Sequence, residues 1–197
     1  PKGLIMEHHS VCISQIALSK EVGLDSDTRM LQFASHVFDA TVYEVITPMI
    51  IGGRTCIPSE HTKFNDLGTF LTEEKVTAAL LTPSFLRTLQ PSQMPFMKDL
   101  IIGGEAISRD VFETYYAKIP HVMNAWGPAE TCVIAAVHHF KSAQDVPGTI
   151  GRSVGDYTWV VEPGNHNQLA PVGTVGELIV QGPTLLREYL NNPKQNA

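Results

Sequence analysis

A chain of 197 residues, 43% hydrophobic and 17% charged, is globular material with apolar mass for one sizeable core, or for a domain with a smaller piece attached. A net charge of −6, with its 14 basic residues scattered, leaves no electrostatic footprint for nucleic acid, and no apolar run reaches the ~18 residues of a membrane span. The 3 cysteines form no C-x-x-C pair and suit a reducing compartment, so the cytoplasm is the expected location; the abrupt start at Pro1-Lys2-Gly3 reads as that of an excised piece.

Ser10 is placed to cap a helix running to about Val22, with Val11, Cys12, Ile16 and Ala17 on its apolar side and Gly23 as its stop. Met30-Leu31-Gln32-Phe33-Ala34 reads as a short buried strand. From Asp39 onward the spacing of Val42, Val45, Ile46, Met49 and Ile50 predicts a helix that stops at Gly52-Gly53 and is kinked by Pro48. A strand over Arg54 to Pro58, a helix over Asp66 to Glu74 and an apolar run over Val76 to Leu81 follow, with Ser84 as the cap of another short helix. Leu100-Ile101-Ile102 leads into Gly103-Gly104-Glu105, and Ser108 and Asp110 suit the start of a helix carrying Val111, Phe112, Tyr115 and Tyr116. The strand end His121-Val122-Met123 runs into Asn124-Ala125-Trp126-Gly127-Pro128-Ala129-Glu130-Thr131, where Gly-Pro makes a turn.

This alternation of strands and helices predicts an α/β fold, a largely parallel sheet covered by helices. Beyond Glu130, Val133 to Phe140, Trp159 to Glu162 and Glu177 to Gln181 read as strands between turns, with helical periodicity only over Leu185 to Leu190. Residues 1–140 are therefore expected to form the α/β part, and 141–197 a smaller β-rich piece.

Ligands of an open parallel sheet bind beyond the carboxyl ends of its strands, where Phe38-Asp39, Gly103-Gly104-Glu105 and Asn124 to Glu130 fall. Asn124 carries an amide that both donates and accepts, Trp126 a face for stacking, and Glu130 a carboxylate for a hard cation, the set a magnesium nucleotide needs. An ordinary strand-turn with a solvated Glu130 and a core Trp126 explains the same residues. Asp39 is equally an N-cap for Thr41 or Val42, and Gly103-Gly104 equally a tight turn. His8-His9 and His138-His139 are poor chelators, since neighbours on a strand point to opposite faces. No Ser-His-Asp or Cys-His arrangement, G-x-G-x-x-G or Walker loop is legible.

Taken together, Pro1-Lys2-Gly3, Phe38-Asp39-Ala40-Thr41, Asn124 to Glu130, and Gly176-Glu177-Leu178-Ile179-Val180-Gln181-Gly182 with Leu186-Arg187-Glu188-Tyr189-Leu190 resemble, in order and spacing, the motifs of adenylate-forming enzymes. The resemblance spans essentially the whole chain and is nearest to adenylation domains of nonribosomal peptide synthetases, in a fungal style. It implies part of the large N-terminal subdomain, truncated before the C-terminal one. The activity implied is ATP-dependent activation of an amino acid to an aminoacyl adenylate, passed to the phosphopantetheine thiol of a carrier domain, with magnesium neutralising charge.

On that resemblance Glu130 holds the magnesium, Asn124 meets the adenine edge, Trp126 stacks on the base, and Lys2 ends the phosphate loop. Gly103, Gly104 and Glu105, with Gly127 and Thr131, belong to the nucleotide side. Asp39 pairs with the substrate ammonium, and Ala40, Tyr43, Leu80, Ile101, Gly103, Ala125, Val133 and Ile134 complete the substrate pocket, with Tyr43 closing its base. Since only Asp39 is charged, a hydrophobic α-amino acid is expected. Peptidyl carrier and condensation domains of a parent synthetase are the implied partners, with neither nucleic acid nor membrane among them.

Trp126 stands where the family usually has Tyr, Ala129 where it has Thr, and Glu188 where it has Gly. Most of the phosphate loop, a ribose-binding aspartate and the catalytic lysine have no counterpart here, so the isolated chain is expected to be inactive. The competing readings are an acyl- or aryl-coenzyme A ligase, which would leave Asp39 without an ammonium, and a degenerate noncatalytic module, which Ala129 would suit.

Overall fold

The computed structural model describes residues 3–196. In chain order its elements are β1 (Leu4–Ile5), α1 (His8–Val22), β2 (Arg29–Leu31), α2 (Ala40–Ile51), β3 (Arg54–Cys56), α3 (Glu60–Asn65), α4 (Leu67–Glu73), β4 (Ala78–Leu81), α5 (Pro83–Leu86), β5 (Asp99–Gly103), α6 (Arg109–Tyr116), β6 (His121–Trp126), β7 (Ala136–His139), β8 (Arg152–Ser153), β9 (Tyr157–Glu162), β10 (Asn165–Leu169), β11 (Glu177–Gln181), β12 (Glu188–Tyr189) and α7 (Pro193–Asn196).

Seven strands form the main sheet in the order β3-β2-β4-β5-β6-β7-β8. Neighbours from β3 to β6 are parallel, and β7 and β8 add antiparallel pairs at one edge. A parallel sheet has to be covered on both faces, and the alternation of side chains along each strand divides the core accordingly. Leu100 and Ile102 of β5 face Leu71 of α4, Leu86 of α5 and Phe112 and Tyr115 of α6. Ile101, between them, faces Leu18 of α1, Tyr43 of α2, Met30 and Met123. Each fully buried Leu or Ile of this kind contributes about 1.5–3 kcal/mol. The remaining strands form the antiparallel sheet β10-β9-β11 and the pair β1-β12. The fold is thus α/β with a largely parallel sheet and a separate β-rich part, as the sequence predicts. The last strand of the main sheet, β8, lies beyond the boundary expected at 141. Among the described residues, no helix is long and apolar enough to cross a membrane.

Several local expectations are corrected. α1 starts at His8, so Ser10 is a buried residue within the helix rather than its cap. The helix expected over Asp66 to Glu74 is the second of two; the first, α3, is capped by Ser59, whose side chain accepts from Thr62 N. Thr82, not Ser84, caps α5, with Pro83 in its first turn, where a missing N–H costs nothing. α2, by contrast, runs through Pro48 and stops at Gly52 as expected; the Glu44 carbonyl, which Pro48 cannot reach as a donor, accepts instead from Thr55 Oγ1 at 3.1 Å. The segment Leu185 to Leu190 is not helical: Glu188 and Tyr189 pair with Ile5 and Leu4, and six residues are too few for a period to decide. β7 begins only at Ala136, because Cys132 and Val133 take positive φ angles of 60° and 83°.

Candidate functional site

β2, β4, β5 and β6 run parallel, so their carboxyl ends share one edge of the sheet. The segments leaving that edge enclose a cavity of about 460 Å³. Phe33, Ala34, Ser35 and Phe38 follow β2; Asp39 and Ala40 open α2; Leu80, Leu81 and Thr82 come from the end of β4; and Gly103, Gly104 and Glu105 from the end of β5. Ala125 and Gly127 at the end of β6, Val133 and Ile134 before β7, and Phe64 of α3 complete the lining. The structure therefore brings Asp39, Ala40, Leu80, Gly103, Gly104, Glu105, Ala125, Gly127, Val133 and Ile134 to one cavity.

Tyr43 and Ile101 are not among the residues that line this cavity. Both have 0% exposure and pack in the same core cluster as the lining residues Leu80, Ala125, Val133 and Ile134. The reason is depth: Ile101 sits two residues below Gly103 on the same strand face, and Tyr43 just over one helical turn beyond Asp39. The Tyr43 hydroxyl is buried without a hydrogen-bond partner. Burial, with smaller contributions from the charges of Asp99 and Glu44, pushes its pKa well above the usual phenol range.

Asp39 occupies the N-cap position of α2, but its side chain makes no capping bond; Val42 N donates to the Asp39 backbone carbonyl instead. Burial raises its carboxyl pKa, backbone N–H groups of Ala40 and Asp39 work against that rise, and the nearby charge of Glu130 adds to it. Two carboxylates sharing a poorly solvated region favour a cation beside them. Glu130 is placed by the chain's distant end: its Oε1 accepts from the Tyr189 hydroxyl at 2.8 Å and its backbone carbonyl from Leu186 N at 2.8 Å. Among the described residues no three His, Cys, Asp or Glu side chains converge as a metal site, and His8 and His9 open α1 instead of lying in a strand.

Asn124 is buried, and its Nδ2 donates to the carbonyls of Thr149 (2.8 Å) and Pro147 (3.3 Å), fastening that loop to β6. Trp126 is half-buried at the strand end, and the Thr131 hydroxyl donates to Pro128 O within the turn. Glu105 accepts from Ser84 N and Oγ at 3.1 and 2.5 Å, joining the β5 turn to α5. Lys2 lies outside the described residues.

The Cys132–Ile134 wall follows a strained path for β-branched Val133, and α1 supports it from below. Ser14 Oγ donates to Cys132 O at 3.0 Å, and the buried Gln15 lies against the same carbonyl while its Oε1 accepts from Thr47. Gly127 permits the close approach: a Cβ there would stand 2.5 Å from Val133 O and 2.6 Å from Ala135 N. Sequence reasoning missed Phe33, Ala34, Ser35, Leu81, Thr82 and Phe64. All but Phe64 lie at or just past strand ends, so the crevice rule could have found them; Phe64, on a short helix outside the sheet, carries no local signal.

The family of AMP-binding enzymes matches residues 1–190. Over its full length the chain is 43% identical to a segment of nonribosomal peptide synthetase 4 of Gibberella zeae and 42% identical to one of nonribosomal peptide synthetase 1 of Aspergillus fumigatus. It spans about 3% of the length of each of these relatives. In fold it is similar to a four-domain holo nonribosomal peptide synthetase bound to AMP and glycine, with a TM-score of 0.88 at 22% identity, over 98% of this chain and 15% of that one.

Proposed function

The chain belongs to the AMP-binding enzyme family, and from that premise we propose that it is part of a nonribosomal peptide synthetase adenylation domain that activates a hydrophobic α-amino acid. ATP is the co-substrate, and peptidyl carrier and condensation domains are the partners. The observation that carries this reading is Asp39: a half-buried carboxylate that makes no N-cap bond, on the wall of a cavity whose other walls are mainly apolar or backbone, the second carboxylate there, Glu105, being tied to Ser84. A buried ammonium requires a paired charge, and a substrate side chain that enters such a cavity must itself be apolar. The identity to fungal synthetases and the AMP and glycine bound in the structural relative support the same reading.

In the proposed reaction a substrate carboxylate oxygen bonds to the α-phosphorus of ATP as the bond to pyrophosphate breaks. Asp39 holds the ammonium, which leaves the carboxylate on the other side of the α-carbon free to face the Gly103-Gly104 and Gly127 turns that line the same cavity. Gly103 keeps that channel open, since a Cβ there would stand 3.0 Å from Ala125 O and 3.4 Å from Leu80 Cδ1. Glu130, oriented by Tyr189, would hold magnesium as a single carboxylate, which suits an ion that keeps water and phosphate oxygens as its other ligands. Bound there, magnesium would neutralise phosphate charge.

The test is amino-acid-dependent pyrophosphate exchange by the protein that carries this chain, with apolar amino acids screened against acids lacking the amino group, and Asp39→Ala beside wild type. Exchange with an apolar amino acid, lost in Asp39→Ala, is expected. Exchange with amino-free acids alone would replace this reading with a coenzyme A ligase.

A further inference from the structure

Helix α2 reaches the cavity at two levels. Its first turn presents Asp39 and Ala40 to the space, while Glu44 turns under the facing wall. Glu44 has 0% exposure, and its carboxylate accepts from Phe33 N at 3.0 Å, Ala34 N at 3.0 Å and Gln32 Nε2 at 3.2 Å. Gln32 Nε2 also donates to Ala34 O at 2.6 Å, and its Oε1 accepts from the buried Lys63 Nζ at 3.4 Å. Lys63 pairs in turn with Glu60 at 2.9 Å and directly precedes Phe64. One buried carboxylate thus links three walls: the start of α2, the Phe33–Ser35 segment, and α3 with its Phe64.

The sheet makes no use of this carboxylate. β2 ends at Leu31, and Phe33 and Ala34 have left the strand ladder when their N–H groups turn to Glu44. A carboxylate without water is costly where an apolar side chain would fill the same core space, and burial pushes this one up to about 7 against its N–H donors. An expensive group retained beside a cavity marks it as a candidate for function.

We propose that Glu44 is a positioning residue for the amino-acid subsite: it sets the separation between Asp39 and the Phe33–Ser35 wall, and so determines whether substrate ammonium and side chain are held together. This rests on the reading of the cavity given above. Glu44 touches no substrate; it acts through the two walls that do.

In the full-length protein carrying this chain, pyrophosphate exchange yields separate KM values for amino acid and ATP. Glu44→Ala is expected to raise the amino-acid KM by roughly ten- to a hundredfold, while the ATP KM stays within about twofold. Glu44→Gln, which keeps an acceptor for Phe33 N and Ala34 N, recovers most of the loss. If Glu44→Ala does not fold, Glu44→Asp, whose shorter side chain withdraws the carboxylate from those N–H groups, carries the same comparison. An unchanged amino-acid KM, or equal rises for both substrates, overturns the assignment. If wild type exchanges with no amino acid, the reading of the cavity falls, and amide hydrogen exchange still judges the clamp. Faster exchange at Phe33 and Ala34 in the Ala or Asp variant, but not in Glu44→Gln, supports it; unchanged exchange overturns it.

Discussion

Glu44 also makes a prediction about folding that needs no substrate. Its carboxyl, 4.5 in a solvated chain, is pushed up to about 7 chiefly by burial, with the N–H groups of Ala34 and Phe33, the Gln32 amide and the charge of Lys63 opposing. The folded protein therefore binds this proton more tightly than the unfolded chain does. The associated stability is fully present below about pH 4.5 and is lost as pH rises through 7. A difference of this size corresponds to about 3 kcal/mol at 1.36 kcal/mol per pH unit. Glu44→Gln removes the titration while keeping the shape and most hydrogen bonds, and every other titrating group cancels between the two proteins. Urea unfolding from pH 5 to 8 is expected to show wild type losing about 2.5 kcal/mol relative to Glu44→Gln, the part of the total that falls in this window. Parallel pH profiles would refute the claim that a buried, proton-binding carboxyl sits behind the cavity wall.

Three further outcomes follow from the same packing. Tyr43→Phe removes a buried hydroxyl without a partner and is expected to stabilise by about 1–2 kcal/mol, read as a higher urea midpoint at unchanged slope. Gly127→Ala drives a methyl into the Val133–Ala135 backbone and is expected to cost about 1–3 kcal/mol in the same assay. Tyr189→Phe removes the hydroxyl that orients Glu130, and the magnesium dependence of nucleotide binding, followed by calorimetry, is expected to weaken by roughly tenfold.

Strand ends were the most legible part of the fold. Leu100-Ile101-Ile102 before Gly103-Gly104 and Val122-Met123 before Gly127-Pro128 mark buried parallel strands running into turns, and the crevice rule then places the cavity. Asp39 was ambiguous in sequence because a cap and a ligand-binding carboxylate occupy the same position; in the folded helix its side chain makes no N-cap bond and stands on the cavity wall. Depth was illegible: Tyr43 and Ile101 share a periodicity with cavity residues and are fully buried, since a repeat reports the face and not the level. Long-range polar contacts were equally hidden. Nothing local in Glu44 or Ser14 shows that one holds Phe33 and Ala34 and the other Cys132, more than a hundred residues away. Leu185 to Leu190 misled because pairing with β1 decides its conformation.

The central claim is that Asp39 recognises an ammonium, and its most direct measurement compares pyrophosphate exchange for one apolar amino acid and its des-amino counterpart, in wild type and in Asp39→Asn. Leaving one member of a buried pair uncompensated costs about 3–5 kcal/mol, so kcat/KM for the amino acid is expected to fall by roughly a hundredfold or more. The preference over the des-amino acid should collapse with it. A preference for the amino acid that survives Asp39→Asn would contradict the account.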